Sequence, residues 1–260
     1  PRDNESYECW KKCGLTDAQI FFLPKEHNWW ILASGVGPCG PDSEMFIDTG
    51  KKKCSKDCNP SCNCGKYVEI GNDVYMEYVI KNKGGKAEPN KQRNVDTGFG
   101  FDRLLYISNG YESVYDSELF MPIIKKIEEI SNLFYLLNNE TKRNMRIIAD
   151  HNKASVFMIC DGVVPLNVEQ GYVLRRLIRR AINCARKLNF DGSRLAELVG
   201  VVVDIYKEFY PELVEKQSEI EKQILLENEK FSKTLSQGIK EFEKVCKYTT
   251  NGVLNGKTAF

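Results

Sequence analysis

The sequence has 260 residues, which is long enough to bury a sizeable core and to form two domains. Its 37 basic and 36 acidic residues balance, so any contact with nucleic acid must come from local basic patches. No apolar run reaches the roughly 18 residues of a membrane span, and the charged N-terminus lacks the apolar core of a signal peptide. We therefore expect a cytoplasmic protein without a membrane partner, and composition leaves its oligomeric state open.

A glycine- and proline-rich stretch, Gly35–Glu44, reads G-V-G-P-C-G-P-D-S-E. Glycines and prolines at this density predict a stiff turn. The spacing matches none of the common phosphate-binding loops. The stretch follows an aromatic and aliphatic run, Asn28–Leu32, which includes Trp30. From these residues alone, a purely structural turn is the simplest interpretation.

Four of the ten cysteines fall within Lys51–Gly65 with the spacing C-x3-C-x3-C-x-C. Such crowding is not typical of a secreted disulfide framework and indicates a reducing compartment. Four thiolates can surround one tetrahedral Zn²⁺, and the metal would order a loop that has few apolar residues. Free surface thiols or an oxidation-prone loop are the alternatives. The candidate zinc ligands are Cys54, Cys58, Cys62 and Cys64.

The stretch Lys66–Lys81 reads K-Y-V-E-I-G-N-D-V-Y-M-E-Y-V-I-K, with alternating residues on two faces. This period predicts one long strand, or two, in an antiparallel sheet. Gly71 is a candidate position for a β-bulge. Asn72 is a polar residue among apolar strand residues, and pairing to the backbone is the ordinary role of such a side chain.

The stretch Val95–Arg103 reads V-D-T-G-F-G-F-D-R and combines a carboxylate, two glycines and an arginine. Glycine lets a ligand approach the backbone closely. The apolar spacing in Phe101–Ser108 predicts a helix whose first turn contains Arg103, beside N–H groups that favour an anion. These residues suit a ligand with an ammonium at one end and phosphates at the other. An ordinary strand–turn–helix with a solvated arginine is the alternative.

The hydrophobic period changes from strand-like to helical near residue 115. We therefore predict an α+β protein, with an antiparallel sheet in residues 1–115 and an all-helical domain in residues 116–260. One of the helices, opened by Gly171, carries arginines at i, i+4 spacing, and like charges at that spacing repel by roughly a few tenths of a kcal/mol. The cluster therefore indicates an anionic partner, either carboxylates within the protein or a phosphate backbone. Its members are Arg175, Arg176, Arg179 and Arg180.

Together and in this order, the segments resemble the class II aminoacyl-tRNA synthetases, in the form of the alanyl-tRNA synthetases. Val95–Arg103 resembles motif 3 of that class. His27–Glu44 resembles a segment that forms one wall of the active site, and Lys66–Lys81 resembles the strand segment E-I-W-N-x-V-F-M-Q. Asp161–Arg180 resembles the start of the helical domain that grips the tRNA acceptor stem, and the closing Asn251–Phe260 also follows the family pattern.

The resemblance implies ATP-dependent attachment of alanine to tRNA(Ala) through an alanyl-adenylate, with Mg²⁺ accompanying the ATP. Asp96 is implied to pair with the alanine ammonium, and Asn72 to bond its carboxylate or carbonyl group. Trp30 and Gly98 are implied to shape the methyl pocket.

The resemblance also implies which residues bind ATP and which bind tRNA. Gly100 and Arg103 are implied to bind ATP, with Arg103 holding the triphosphate and acting with Asp96 as a catalytic residue. The implied tRNA-binding residues are Asn167, Arg175, Arg176, Arg179 and Arg180.

Three positions depart from the family pattern: Gly71 replaces a usual Trp, Asp102 a usual Glu, and Gln170 a usual Arg. The sequence shows no equivalent of motifs 1 and 2, of which motif 2 supplies an arginine to the α-phosphate. We therefore expect weak or absent adenylate formation by these 260 residues in isolation. A non-catalytic, synthetase-like paralogue that binds RNA or a small ligand is the alternative function.

Overall fold

The computed structural model describes residues 3–247 together with residues 253 and 256. The chain divides into two compact units, Pro1–Val114 and Tyr115–Phe260. The closing stretch Asn251–Phe260, which resembles the family in sequence, lies outside the described residues except at those two positions.

The first unit is built on a four-stranded antiparallel sheet with the strand order β1-β2-β3-β4. A short helix, α1 (Asn4–Lys12), precedes the sheet, and the Trp10 indole on α1 donates a hydrogen bond to Ser43 Oγ on β2 at 2.7 Å. A second helix, α2 (Phe101–Ser108), follows the last strand and begins where the sequence predicts a helix. The strands are β1 Trp29–Ile31, β2 Gly37–Asp48, β3 Tyr67–Ile80 and β4 Glu88–Phe99.

Strand β2 covers most of the glycine- and proline-rich stretch, so the predicted stiff turn is wrong. The register of β2 against β3 shifts between Cys39 and Asp42, an irregularity that includes Pro41, which has no N–H to donate. A Cβ atom on Gly40 would lie 1.8 Å from the carbonyl oxygen of Tyr75, so only glycine permits this close approach of the two strands. The glycine and proline residues therefore serve an irregular, closely packed strand.

In the described residues, the second unit is helical, and its helices bury their apolar faces against one another. Helix α4 begins after Asn138, whose side chain accepts a hydrogen bond from the Thr141 N–H. The helices are α3 Met121–Ser131, α4 Asn139–Cys160, α5 Glu169–Lys187, α6 Glu197–Tyr206 and α7 Glu212–Lys247. Fully buried residues include Ile123, Ile127, Met145, Ile148, Leu174, Leu198 and Ile220.

The predicted fold class is confirmed: an antiparallel sheet with helices is followed by a helical region. Within residues 3–247, no helix has both the length and the apolar character needed to cross a lipid bilayer.

Candidate active site and RNA-binding surface

Three neighbouring strands place polar and small residues side by side on one face of the sheet. The register pairs Glu44 on β2 with Asn72 on β3, and Asn72 with Gly98 on β4. Residues directly opposite each other in antiparallel strands point to the same face, as do residues two positions along. The next row on this face consists of Asp42, Val74 and Asp96.

A β-bulge in β3 adds Glu69 to this face. The register pairs Met45 with Gly71 but Phe46 with Glu69, so Ile70 is an extra residue in β3. The bulge adjoins Gly71, where the sequence predicts one. Because it shifts the alternation of β3 by one residue, the Glu69 side chain joins the same side of the sheet as the two rows.

Arg103 reaches the sheet from the first turn of α2 and is anchored by Glu69. Its Nη1 atom donates to the Glu69 carbonyl oxygen and to Glu69 Oε2, each at 2.9 Å. Its stem lies against Gly100, where a Cβ atom would be 3.1 Å from Arg103 Cδ, and the Gly100 N–H donates to the Ile70 carbonyl at 2.9 Å. The Arg103 side chain is still 48% exposed, so the guanidinium is held in place and open to a ligand. Glu69 thus supports Arg103 in a chain where Asp102 replaces the usual Glu.

Burial and neighbouring carboxylates raise the pKa values of Glu44 and Asp42 on this face. Burial, and then the charges of Glu69 and Asp42, raise the pKa of Glu44 to about 7, while Arg103 has a smaller, opposing effect. Burial also raises the pKa of Asp42, whose Oδ1 atom is buried and accepts no hydrogen bond from the described residues. The face therefore has spare acceptor capacity, which favours a cation or a hydrogen-bond donor as ligand.

Two glycines control the space around Asn72. A Cβ atom on Gly98 would lie 3.3 Å from Asn72 Oδ1, so a larger residue would press on this amide. A Cβ atom on Gly71 would lie 2.6 Å from the Phe99 ring. The Phe99 ring therefore occupies the space beside Gly71, at the position where the family usually has Trp.

Two other predicted site residues lie at the margins of this face. Trp30 is on β1 opposite Gly40, whereas Asn72 on β3 lies opposite Glu44, four residues further along β2. Two strand spacings and this offset together put the Trp30 backbone roughly 16 Å from that of Asn72. Asp96 is exposed on the edge strand β4, opposite Val74. The site residues that the structure brings closest together lie near the start of β3, at the end of β4 and at the start of α2.

Sequence reasoning missed the three carboxylates Asp42, Glu44 and Glu69. Alternation along β2 would have placed the first two on one face had the stretch been recognised as a strand. The sequence gives no comparable indication for Glu69. The bulge, which depends on pairing with β2, changes the face of the sheet on which the Glu69 side chain lies.

The four clustered cysteines lie in the loop between β2 and β3. The Sγ atoms of Cys54, Cys58 and Cys62 all lie within 4.8 Å of one another, and those of Cys58 and Cys64 are 3.7 Å apart. Sulfur atoms at the corners of a tetrahedral zinc site are roughly 3.8 Å apart, given a Zn–S bond of roughly 2.3 Å. A hydrogen bond with the Lys66 backbone lowers the pKa of Cys64, which favours its thiolate. The donor set and its spacing fit a zinc ion.

Two arginines of α5 have partners within the second unit. Arg175 Nη1 donates to Asn167 Oδ1. Arg179 Nε donates to Oε1 of Glu227 on α7 at 2.6 Å, and the Glu227 side chain is only 4% exposed. An internal carboxylate thus neutralises Arg179, which is one of the two explanations that the sequence allows for the cluster.

The remaining two arginines of this cluster are exposed. Arg176 lies over the Tyr172 ring, with its guanidinium carbon 5.7 Å from the ring centroid. Arg180, one helical turn further along, is also exposed. These two guanidinium groups are therefore accessible to an external anion.

Comparison with known proteins identifies the family of the chain. The family model described as tRNA synthetases class II (A) matches residues 1–260. The chain therefore belongs to this family, and the resemblance to alanyl-tRNA synthetases that the sequence shows is confirmed.

Similar proteins from several organisms are named alanine–tRNA ligase. The protein from Borrelia hermsii is 47% identical over 262 residues, covering 100% of this chain and 44% of that protein. The Treponema denticola protein is 48% identical over 220 residues, covering 84% of this chain and 36% of that protein. The Treponema pallidum protein is 41% identical over 264 residues, covering 100% and 44%. The chain thus spans less than half the length of these relatives.

Proposed function

We propose that this chain is part of an enzyme that attaches alanine to tRNA(Ala) at the expense of Mg²⁺-ATP. The observation that carries the proposal is the shared sheet face on which Asn72, Gly98 and the anchored Arg103 meet. The relatives named alanine–tRNA ligase support the choice of amino acid.

In the first step, an oxygen of the alanine carboxylate attacks the α-phosphate of ATP. The bond between the α- and β-phosphates breaks, and pyrophosphate leaves with the bonding electrons, which gives alanyl-adenylate. Arg103 is proposed to hold the triphosphate, because its guanidinium is fixed by Glu69 yet half exposed. A preorganised cation of this kind stabilises charge without reorganising during the reaction.

The amino-acid end of the site is proposed to lie around Asn72. Its amide is suited to bond the alanine carboxylate or carbonyl group, and the exposed Asp96 carboxylate to pair with the ammonium. Gly98 leaves room beside Asn72 because it has no Cβ, and Trp30 is proposed to limit the methyl pocket from β1. Gly100 is proposed to let the nucleotide approach the backbone at the start of α2.

The carboxylates on the same face are suited to the metal that accompanies ATP. Mg²⁺ prefers carboxylate oxygens, and Asp42, Glu44 and Glu69 supply three such groups on one face of the sheet. Burial and the charges of Glu69 and Asp42 raise the pKa of Glu44, and a bound cation would offset the repulsion among these carboxylates.

In the second step, a hydroxyl of the terminal ribose of tRNA attacks the adenylate carbonyl carbon and AMP leaves. The helical unit is proposed to bind this RNA. Arg176 and Arg180 are available to phosphates, whereas Arg175 and Asn167 bond each other and together form a polar group at the start of α5. Arg179 is proposed to act mainly through its internal pair with Glu227.

Amino-acid-dependent exchange between ATP and pyrophosphate tests the proposed enzyme. The assay uses the complete gene product and a panel of amino acids, and it requires no RNA. We expect exchange that depends on alanine. A flat response to every amino acid would contradict the proposal and favour the non-catalytic, RNA-binding paralogue.

The cysteine loop is proposed to bind one structural Zn²⁺ through Cys54, Cys58, Cys62 and Cys64. Metal analysis of the purified protein should give about one zinc per chain, a ratio that follows from four thiolates per tetrahedral ion. Cys58→Ser should lose the metal, whereas Cys246→Ser, at an exposed position of α7, should retain it. Zinc well below one per chain in the unsubstituted protein would rule out the site.

A further inference from the structure

A groove between α4 and α5 of the helical unit is lined by cations, and those on α4 are not among the residues that the sequence pattern points to. Its volume is about 470 Å³, and none of its lining residues carries a carboxylate. The polar lining residues are Lys142, Arg143 and Arg146 of α4, Arg180 of α5, Asn139 and Tyr115.

Aromatic rings, not acidic groups, position the cations of α4. Arg146 Nε donates to the Tyr135 hydroxyl at 2.5 Å, and its guanidinium carbon lies 4.9 Å from the Tyr115 ring centroid. Lys142 Nζ lies 5.6 Å from the Tyr135 ring centroid. In the part of the chain that the structure describes, no carboxylate lies within 4 Å of the charged atoms of these two residues. Their positive charge is therefore available to an external anion.

The positive surface continues beyond the groove along α5. Arg176, Arg180 and Lys187 are exposed and follow the helix over eleven residues, or roughly 16 Å at roughly 1.5 Å per residue. Burial raises the pKa of the Cys184 thiol, while Lys187, Arg180 and Arg143 lower it, so cations from both helices act at one point. An extended row of cations fits a chain of phosphates better than a single small anion.

We infer that the groove between α4 and α5 binds the sugar–phosphate backbone of the tRNA, with Lys142, Arg143 and Arg146 as phosphate-binding residues. This inference rests on the proposed function for the identity of the RNA. It places the RNA-binding surface on the side of α5 that faces α4. Arg179, which pairs with Glu227, is then not part of that surface.

Binding of a fluorescently labelled tRNA(Ala) transcript to the complete protein, measured at several salt concentrations, tests the inference. The variant is Lys142→Gln with Arg143→Gln. The matched control is Lys230→Gln with Lys233→Gln, which removes two exposed charges from α7. We expect the groove variant to bind about tenfold or more weakly near 0.1 M salt, and the slope of log K against log salt to shrink by about 2, or about 1 per lost phosphate contact. The control should match the unsubstituted protein.

The outcomes separate this inference from the proposed function. The circular dichroism spectrum of the groove variant should match that of the unsubstituted protein. If this folded variant also binds tRNA with unchanged affinity and salt slope, the inference about the groove is overturned, while the proposed function is not affected. An equal loss in both variants would also overturn it, because the effect would follow net charge and not position. Failure of the unsubstituted protein to bind tRNA would overturn the inference together with the RNA step, while ATP–pyrophosphate exchange reports adenylate formation separately.

Discussion

Glu44 is a residue whose protonation depends strongly on its surroundings in the folded chain. Its folded pKa of about 7 lies above the ordinary value of 4.5, because burial and the charges of Glu69 and Asp42 disfavour its ionised form. Between these two values the folded state binds more protons than the unfolded state, so this group lowers stability as the pH rises from about 4.5 to about 7.

The Glu44→Gln variant should therefore gain stability relative to the unsubstituted protein as the pH rises through this window. The measurement is the thermal unfolding midpoint of both proteins at several pH values, with the exposed Glu26→Gln as the control. A difference between Glu44→Gln and the unsubstituted protein that stays constant across the window would show that Glu44 titrates normally.

Arg103 links the sheet to the nucleotide in the proposed site. Arg103→Ala should raise the KM for ATP and slow ATP–pyrophosphate exchange by about 10²–10³-fold, the usual effect of removing one preorganised donor. Glu69→Gln should have a smaller effect, because the Glu69 carbonyl oxygen still accepts from Arg103. Arg93→Ala on β4, where the arginine is 79% exposed, is the control. An unchanged KM for ATP in Arg103→Ala would remove this residue from the site.

At the scale of elements, one ion pair joins α5 to α7. The Glu227 carboxylate is buried, and Arg179 lies both against it and over the Phe231 ring, at 5.1 Å from the centroid. Glu227→Ala leaves the 30% exposed Arg179 without its partner and should cost about 3 kcal/mol of unfolding free energy. Chemical denaturation measures this cost, with Glu229→Ala at an exposed neighbouring position as the control. Equal denaturation midpoints for the two variants would show that the pair does not hold α5 against α7.

Hydrophobic spacing along the chain predicted those helices and strands whose structure depends mainly on their own residues. The apolar spacing gave the start of α2 as it is observed, and alternation gave β3. Strand β2 escaped prediction because Gly40 and Pro41 signal a turn locally, whereas pairing with strands on both sides makes this stretch extended. Tertiary pairing of this kind overrides local propensity.

At the scale of the whole molecule, the candidate site could be predicted only in part. The resemblance to the family pointed to Asn72, Gly98 and Arg103, which lie close together. The support that Glu69 gives to Arg103 comes from a residue 34 positions away, and the Arg179–Glu227 pair spans 48 positions. Sequence patterns carry no signal for such distant pairs, since register and helix packing create them.

The central claim is that alanine is activated on one face of the sheet, at Asn72. Adjacent residues of β3 allow a matched test, because Asp73 points to the opposite face and accepts a hydrogen bond from Thr97 Oγ1 at 2.7 Å. The measurement is alanine-dependent ATP–pyrophosphate exchange by the complete gene product carrying Asn72→Ala or Asp73→Asn. We predict a loss of about tenfold or more in Asn72→Ala, which corresponds to about 1.4 kcal/mol, and a rate near that of the unsubstituted protein in Asp73→Asn. Equal rates in all three proteins would contradict the account.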